Sequence, residues 1–287
     1  MVVSMVTLRD GVRLCVDAVG SPQDPTVLLT GGATSSMDWW EPGFCERLAS
    51  AGRHVVRFDT RDTGESTQWP AGEPGYTGDD LALDPLRVLD ALGVDAAHLV
   101  GVSMGGGIAQ DLAVRFPERV RSLTLIATSC AFDRVGSAPL PPPEPRIRAA
   151  FEDPEPDLDW TDEDAVVEEM VRVQRLYAGA DLFDEDRVRS IARTVVRRTP
   201  DVRAAVTNHW LVVGGGEGST TTMADVRAPT LVVHGSDDPL FPLPHGEALA
   251  AEIAGARLLV VPGMGHEVPP ESTWDVVVPA VVELTAS

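Results

Sequence analysis

The sequence predicts an α/β fold in which helices cover both faces of a mostly parallel central sheet. Short apolar runs, typical of buried strands, alternate with longer amphipathic runs through the first half of the chain. This alternation indicates a parallel sheet, because a crossover between parallel strands usually contains a helix. The 287 residues are enough to bury a sizeable hydrophobic core.

The elements of the first half can be predicted in chain order. Residues 5–19 indicate a hairpin that turns at Arg9-Asp10-Gly11. Strands are then expected at 26–30, 54–58, 97–102 and 121–127, and helices at 41–51, 79–93 and 105–116. The helix at 79–93 carries leucines at helical spacing and ends at Gly93, since glycine readily adopts the conformation that follows a helix.

The alternation stops after Ser129, which predicts an insertion. Residues 139–145 form a proline-rich run that suits neither a helix interior nor an inner strand. Three helical segments follow at about 162–178, 184–198 and 200–213, and a glycine-rich run at 214–218 ends them. Strand runs resume at 229–234 and 256–261. We therefore expect residues 1–130 and 225–287 to form the core and residues 131–224 to form a helical cap.

Composition argues against several classes of partner. The formal net charge of −21 opposes binding to nucleic acid or to anionic membranes. No apolar run is long enough to span a bilayer, and no signal-peptide pattern is visible. The three cysteines lack metal-ligand spacing, and neither a P-loop nor a dinucleotide-binding glycine motif occurs. We expect a cytoplasmic protein without a metal or cofactor; the oligomeric state stays open.

A serine motif lies between a predicted strand and a predicted helix. Residues 101–105 read Gly101-Val102-Ser103-Met104-Gly105. The two glycines let strand and helix approach without a Cβ clash, and the sharp turn exposes the serine hydroxyl. The N–H groups at the start of the helix can stabilise developing negative charge. A G-x-S-x-G sequence in this position is the nucleophile elbow of the α/β-hydrolases.

A nucleophilic serine needs a general base and a carboxylate that orients the base. Asp237 and Asp238 follow the strand run at 229–234, and His266 follows the run at 256–261. Parallel sheets place active sites at the carboxyl ends of their strands. The order serine, acid, histidine is also the order of the α/β-hydrolases. These residues therefore predict Ser103 as nucleophile, His266 as base and one of the two aspartates as the orienting acid.

Nearly the whole chain resembles the α/β-hydrolase-fold esterases. The run Phe58–Ser66 is similar to their D-x-R-G-x-G-x-S sequence, with Asp62 in place of the first glycine. This variant, the Gly-Gly pair after the third strand and the G-x-S-M-G elbow together resemble the aclacinomycin methylesterase group. Enzymes of that group hydrolyse a methyl ester on an anthracycline aglycone.

The resemblance implies further site assignments. The family's acid loop reads G-x-x-D, which favours Asp238 over Asp237. The oxyanion hole is expected to use the backbone N–H groups of Met104 and Gly32. Gly31 and Gly32 would equally suit a tight turn, and both interpretations can hold together.

We expect a serine carboxylic-ester hydrolase that acts through an acyl-enzyme on a fairly hydrophobic small or medium ester. A methyl ester of an aromatic polyketide is the specific expectation. Carbon–carbon bond hydrolases, lactonases and perhydrolases use the same triad and remain alternatives, as does a non-catalytic ligand-binding module. The substrate pocket is expected at Trp39, Trp40, His209 and Trp210, with ordinary packing as the alternative.

Overall fold

An eight-stranded sheet lies at the centre of the computed structural model, which describes residues 2–132, 134, 138–152, 158–212 and 221–286. The strand order is β1-β2-β4-β3-β5-β6-β7-β8. Only β2 runs antiparallel to its two neighbours, so the predicted mostly parallel sheet is confirmed. The strands are β1 Val2–Thr7, β2 Arg13–Val19, β3 Thr26–Thr30, β4 His54–Phe58, β5 Ala97–Val102, β6 Val120–Ile126, β7 Thr230–Gly235 and β8 Arg257–Val261.

Helices cover both faces of the sheet. One apolar core lies between the sheet and α2, α3 and α8, and a second lies between the sheet and α1 and α9. Within the described part of the chain, no helix has the length and apolar character needed to cross a membrane. The helices are α1 Pro42–Ser50, α2 Gly78–Ala91, α3 Met104–Arg115, α4 Pro145–Glu152, α5 Glu163–Tyr177, α6 Glu185–Arg198, α7 Val202–Val212, α8 Pro244–Glu252 and α9 Trp274–Leu284.

The segment between β6 and β7 contains α4 to α7, and we call these four helices the helical insertion. Asp162 and Asp184 cap the starts of α5 and α6 by accepting backbone N–H bonds, which explains where these helices begin. The facing sides of α5 and α6 then bury valines and Ile191 against Trp39 of the core. The predicted helices are therefore observed, whereas the glycine-rich run at 214–218 lies outside the described residues.

Helices α4 and α9 were not predicted from the sequence. Residues of α9 are rich in valine, which has a low helix propensity, and include Pro279, which lacks the N–H that a helix interior needs. The helix forms because Trp274, Val277, Val278 and Val281 share one face that is buried against the sheet. Helix α4 begins at Pro145, since proline is well suited to the first turn of a helix.

Candidate active site

Ser103 occupies the turn between β5 and α3, with φ 52° and ψ −116°. Its backbone N–H donates to the Ile126 carbonyl at 3.0 Å, so the strained turn is held against β6. A Cβ on Gly101 would lie 2.2 Å from the Gly105 carbonyl oxygen, and one on Gly105 would lie 2.5 Å from that of Thr30. Both glycines of the motif are therefore required by close backbone contacts.

Backbone strain is concentrated around Ser103. Four non-glycine residues of the described chain have positive φ angles: Thr34 at 66°, Asp62 at 65°, Ser103 at 52° and Ala127 at 44°. They follow the carboxyl ends of β3, β4, β5 and β6, which are four neighbouring strands of the sheet. Such conformations persist where surrounding contacts hold them, and they cluster at functional sites.

His266 follows β8, and its backbone N–H donates to the Tyr177 carbonyl at 2.7 Å. Its ring centroid lies 5.9 Å from that of Tyr177 and 5.3 Å from that of Phe241. The ring Nδ1 lies 3.0 Å from Oδ2 of Asp238. The imidazole is therefore oriented by two aromatic rings and a carboxylate, with Nδ1 facing Asp238.

The structure separates the two candidate acids clearly. Asp238 is 2% exposed, and its Oδ1 accepts N–H bonds from Leu240 at 2.9 Å and Phe241 at 2.8 Å. Asp237 is exposed, and its carboxylate accepts a bond from the hydroxyl of the neighbouring Ser236. The side chain that His266 contacts is therefore Asp238.

A cavity of about 620 Å³ lies between the strand ends and the helical insertion. Gly32, Ser103 and His266 contribute to its sheet side. The opposite side is mainly apolar and aromatic, as is typical of small-molecule sites. The residues that form this side include Phe151, Trp160, Val166, Met170, Val173 and Trp210.

The loop after β3 passes directly beside the serine. A Cβ on Gly32 would lie 3.4 Å from the Cβ of Ser103. The Ser35 N–H donates to the Gly32 carbonyl at 3.2 Å and closes a tight turn. Met104 is the first residue of α3, where backbone N–H groups have no partner within the helix. Two backbone segments with N–H groups therefore flank Ser103.

Two of the four expected pocket residues line the cavity. Trp39 is buried at the end of the loop after β3 and faces the cavity. Trp210 is 53% exposed, and its ring centroid lies 6.2 Å from that of Phe151. Both rings therefore border the cavity, and Trp210 is much the more exposed of the two.

The other two expected pocket residues lie behind the wall, which corrects the sequence-based prediction. Trp40 is fully buried and packs on Phe44 of α1, with 5.6 Å between ring centroids. His209 is also fully buried, and both of its ring nitrogens bind backbone groups, the N–H of Thr34 and the carbonyl of Arg61. Their sequence neighbours, Trp39 and Trp210, face the cavity instead. For the pair on α7, the reason is that successive residues of an α-helix point about 100° apart.

Sequence reasoning missed several residues of the cavity wall. Helix α5 contributes apolar side chains that recur at helical spacing, and this spacing was the available signal in the sequence. They are Val166, Met170, Val173, Leu176 and Tyr177. Glu267, beside His266, also lines the cavity. Burial raises the pKa of the Glu267 carboxyl, and N–H bonds from Gly179 and Gly265 oppose this rise.

The three cysteines are free thiols. Burial raises the pKa of Cys15 and Cys45 to about 12 and that of Cys130 to about 11. Thiols with such values are poor nucleophiles, because the thiolate is the reactive form. The described residues that line the cavity include Ser103 and none of the three cysteines.

Comparison with known proteins places this geometry in a family. A family model described as the α/β hydrolase fold matches residues 24–273. The chain is 35% identical to rhodomycin D methylesterase DauP of Streptomyces sp. strain C5, with 92% of each chain covered. It is 30% identical to the putative carbamate hydrolase RutD of Azorhizobium caulinodans, over 88% of this chain and 86% of that protein.

Solved structures agree with the family match. A hydrolase from Pseudomonas aeruginosa PA01 superimposes with a TM-score of 0.71 at 25% identity, covering 99% of this chain and 98% of that one. The enol-lactonase of Burkholderia xenovorans LB400 shares the fold, with a TM-score of 0.75 at 23% identity and coverage of 99% and 100%. The chain therefore belongs to the α/β-hydrolase-fold family.

Proposed function

We propose that this ester-acting hydrolase is a serine carboxylesterase that works through an acyl-enzyme. The main support is one cavity that holds Ser103 and His266, with Nδ1 of His266 3.0 Å from the buried Asp238. The buried carboxylate holds the imidazole in the tautomer with its proton on Nδ1, which leaves Nε2 free to accept a proton.

The proposed reaction begins when Oγ of Ser103 attacks the ester carbonyl carbon while Nε2 of His266 takes the hydroxyl proton. Asp238 stabilises the resulting imidazolium. The backbone N–H groups of Met104 and Gly32 stabilise the negative oxygen of the tetrahedral intermediate. His266 returns the proton to the leaving alkoxide, and an ester then joins Ser103 to the acyl group.

The second half of the reaction regenerates the enzyme. His266 takes a proton from water, and the hydroxide attacks the acyl carbonyl carbon. Collapse of the second tetrahedral intermediate breaks its bond to Oγ of Ser103, which recovers the proton from His266. The carboxylic acid is released, and water is the only co-substrate.

The proposed substrate is a fairly hydrophobic ester, specifically the methyl ester of an aromatic polyketide. Two observations support it: the aromatic and aliphatic wall of the cavity, and 35% identity to a protein named as a methylesterase. The helical insertion would act as a cap that covers the acyl part of the substrate. An ester is favoured over the lactone and carbon–carbon alternatives because the enol-lactonase likeness extends to the fold alone.

The test combines covalent labelling with a substrate panel. A fluorophosphonate should label the wild-type protein, and mass spectrometry of the digest should place the adduct on Ser103. Matched esters, lactones, amides and carbon–carbon substrates should show fastest turnover for aromatic methyl esters. Labelling at another residue would reject the nucleophile, whereas faster turnover of a lactone would reject the reaction class.

A further inference from the structure

We propose that His209 of α7 is a positioning residue: it holds the loop that carries the proposed oxyanion donor Gly32. The inference rests on the proposed function, because it assigns His209 a part in the proposed catalytic step. His209 itself lies behind the cavity wall, fully buried, and does not reach the substrate. It would act through Thr34, which does line the cavity.

The loop between β3 and α1 is held at several points. At its start, Gly105 of α3 packs against the Thr30 and Gly31 carbonyls so closely that a Cβ would collide with them. At its end, the N–H of Met37 donates to the Asp59 carboxylate at 2.9 Å. Between these points, the Thr34 N–H donates to Nδ1 of His209 at 2.8 Å. The middle of the loop is therefore bound to the helical insertion.

The conformation of Thr34 gives this bond its importance. Thr34 has a φ angle of 66°, which is unfavourable for a β-branched residue. Such a conformation is kept where surrounding contacts favour it over the alternatives. Only Ala33 lies between Gly32 and Thr34, so a change at Thr34 would move the Gly32 N–H.

The second nitrogen of the ring explains why a histidine suits this position. Nε2 donates to the Arg61 carbonyl at 2.7 Å, which fixes the tautomer and leaves Nδ1 as an acceptor for Thr34. Burial lowers the pKa of His209 below its ordinary value, so the ring stays neutral and keeps its acceptor. One imidazole thus connects the loops after β3 and β4.

Displacing the loop should affect the transition state more than the bound substrate. An oxyanion-hole donor strengthens its bond as negative charge develops on the carbonyl oxygen. Interactions that differ between ground state and transition state change kcat, whereas uniform binding changes KM. The inference therefore predicts a loss in kcat with little change in KM.

Two substitutions of His209 distinguish the roles of its two ring nitrogens. In His209→Asn, the amide oxygen can take the place of Nδ1 and continue to accept from Thr34. In His209→Gln, the amide nitrogen can take the place of Nε2, so the bond to Arg61 remains and the bond to Thr34 is lost. We expect kcat to fall by up to about 100-fold in His209→Gln. His209→Asn should stay within about threefold of wild type, with KM within about twofold in both.

Gln68→Ala is a matched control, because it weakens a different contact between the core and the helical insertion. The Gln68 amide exchanges hydrogen bonds with the backbone of Asp201, just before α7, and has no bond to Thr34. Its substitution should leave kcat unchanged. Equal losses in Gln68→Ala, His209→Asn and His209→Gln would overturn the inference, as would an effect on KM alone.

Hydrogen exchange of the Thr34 amide gives a readout that needs no substrate. Peptides covering residues 30–37 should exchange faster in His209→Gln than in wild type, and at the wild-type rate in His209→Asn and Gln68→Ala. Unchanged exchange in His209→Gln overturns the inference even if the protein hydrolyses esters. Failure of the fluorophosphonate to label Ser103 would instead reject the proposed function, and the exchange result would still decide the role of His209 in the loop.

Discussion

The sheet side of the cavity is built from strand-end loops fixed by backbone contacts, whereas the opposite side is built from side chains on helix faces. On the sheet side, Ser103 lies in a turn whose flanking glycines, Gly101 and Gly105, have no room for a Cβ beside the neighbouring backbone. On the other side, Trp210 and Phe151 are each about half exposed. We infer that the sheet side sets the chemistry and that the insertion mainly sets which substrate fits.

The sharpest test of this contrast is Ser103→Ala. The substitution keeps the backbone turn and removes the proposed nucleophile, so kcat/KM should fall by a factor on the order of 10³ to 10⁶. Ester hydrolysis measures the loss, and chemical denaturation should show an unchanged free energy of unfolding. Ser190→Ala, an exposed position on α6, is the control. Retained activity in Ser103→Ala would assign the chemistry to another group.

A comparison of Asp238→Asn with Asp237→Asn tests which aspartate orients the imidazole of His266. An amide at Asp238 would favour the wrong tautomer of His266, so kcat should fall by about 10⁴-fold. Asp237 is exposed and should be replaceable without a change in rate. Steady-state kinetics of both variants decide the assignment, and equal losses would contradict it.

His98, in the middle of the sheet, should affect stability rather than catalysis. It is fully buried on β5, Nδ1 lies 2.8 Å from the Ser122 hydroxyl, and Nε2 has no hydrogen-bond partner within the described residues. Burial lowers its pKa to about 4. The unfolded chain takes up the proton at about pH 6.5. The stabilisation is therefore complete above that pH and is lost as the pH falls from about 6.5 to about 4.

The loss over this pH window should be on the order of 3 kcal/mol in the free energy of unfolding. His98→Asn keeps a polar group near Ser122 and cannot titrate, so its stability should fall less on acidification. Denaturant titrations of both proteins at pH 7 and pH 4 give the comparison, and the carboxylates contribute to both equally. Parallel pH dependences in the two proteins would show that His98 is not responsible.

The smallest effect is expected on the insertion side, from Trp210→Ala. Loss of one half-exposed ring should raise KM for an aromatic ester by about 2- to 10-fold and leave kcat nearly unchanged. A matched aliphatic ester should lose less. A fall in kcat comparable to that of Asp238→Asn would contradict the inference that the insertion mainly sets which substrate fits.

Much of the fold could be predicted because local patterns and long-range contacts agree. From β3 onward, the predicted strands match those observed to within about one residue, since each is an apolar run bounded by turn residues. The first strand of the predicted hairpin begins earlier than expected, at Val2 and not at residue 5. Helix α9 could not be predicted, because its valines and Pro279 disfavour a helix locally and its burial against the sheet decides the outcome.

The candidate site was predictable to the extent that motifs encode backbone shape. The two glycines of the G-x-S-x-G motif are required because neighbouring backbone atoms leave no room for a Cβ. The motif therefore predicted the sharp turn at Ser103 correctly. The direction of neighbouring side chains is not encoded in this way. Trp39 and Trp210 face the cavity, whereas Trp40 and His209 lie behind its wall. Which side chain of such a pair faces the cavity depends on the long-range packing of its segment, which the local sequence does not show.

The helical insertion leaves the sheet after β6 and returns at β7, which lies directly beside it. The N–H of Ala127 bonds to the Val233 carbonyl at 3.0 Å, so the ladder is continuous across the point where the chain departs. Grafting the corresponding segment of a relative would therefore leave the register of every strand intact. For a graft to retain the rate of the parent enzyme, the donor segment would need to supply an acceptor for Thr34 and a cation for the buried Asp59, which here bonds Arg198.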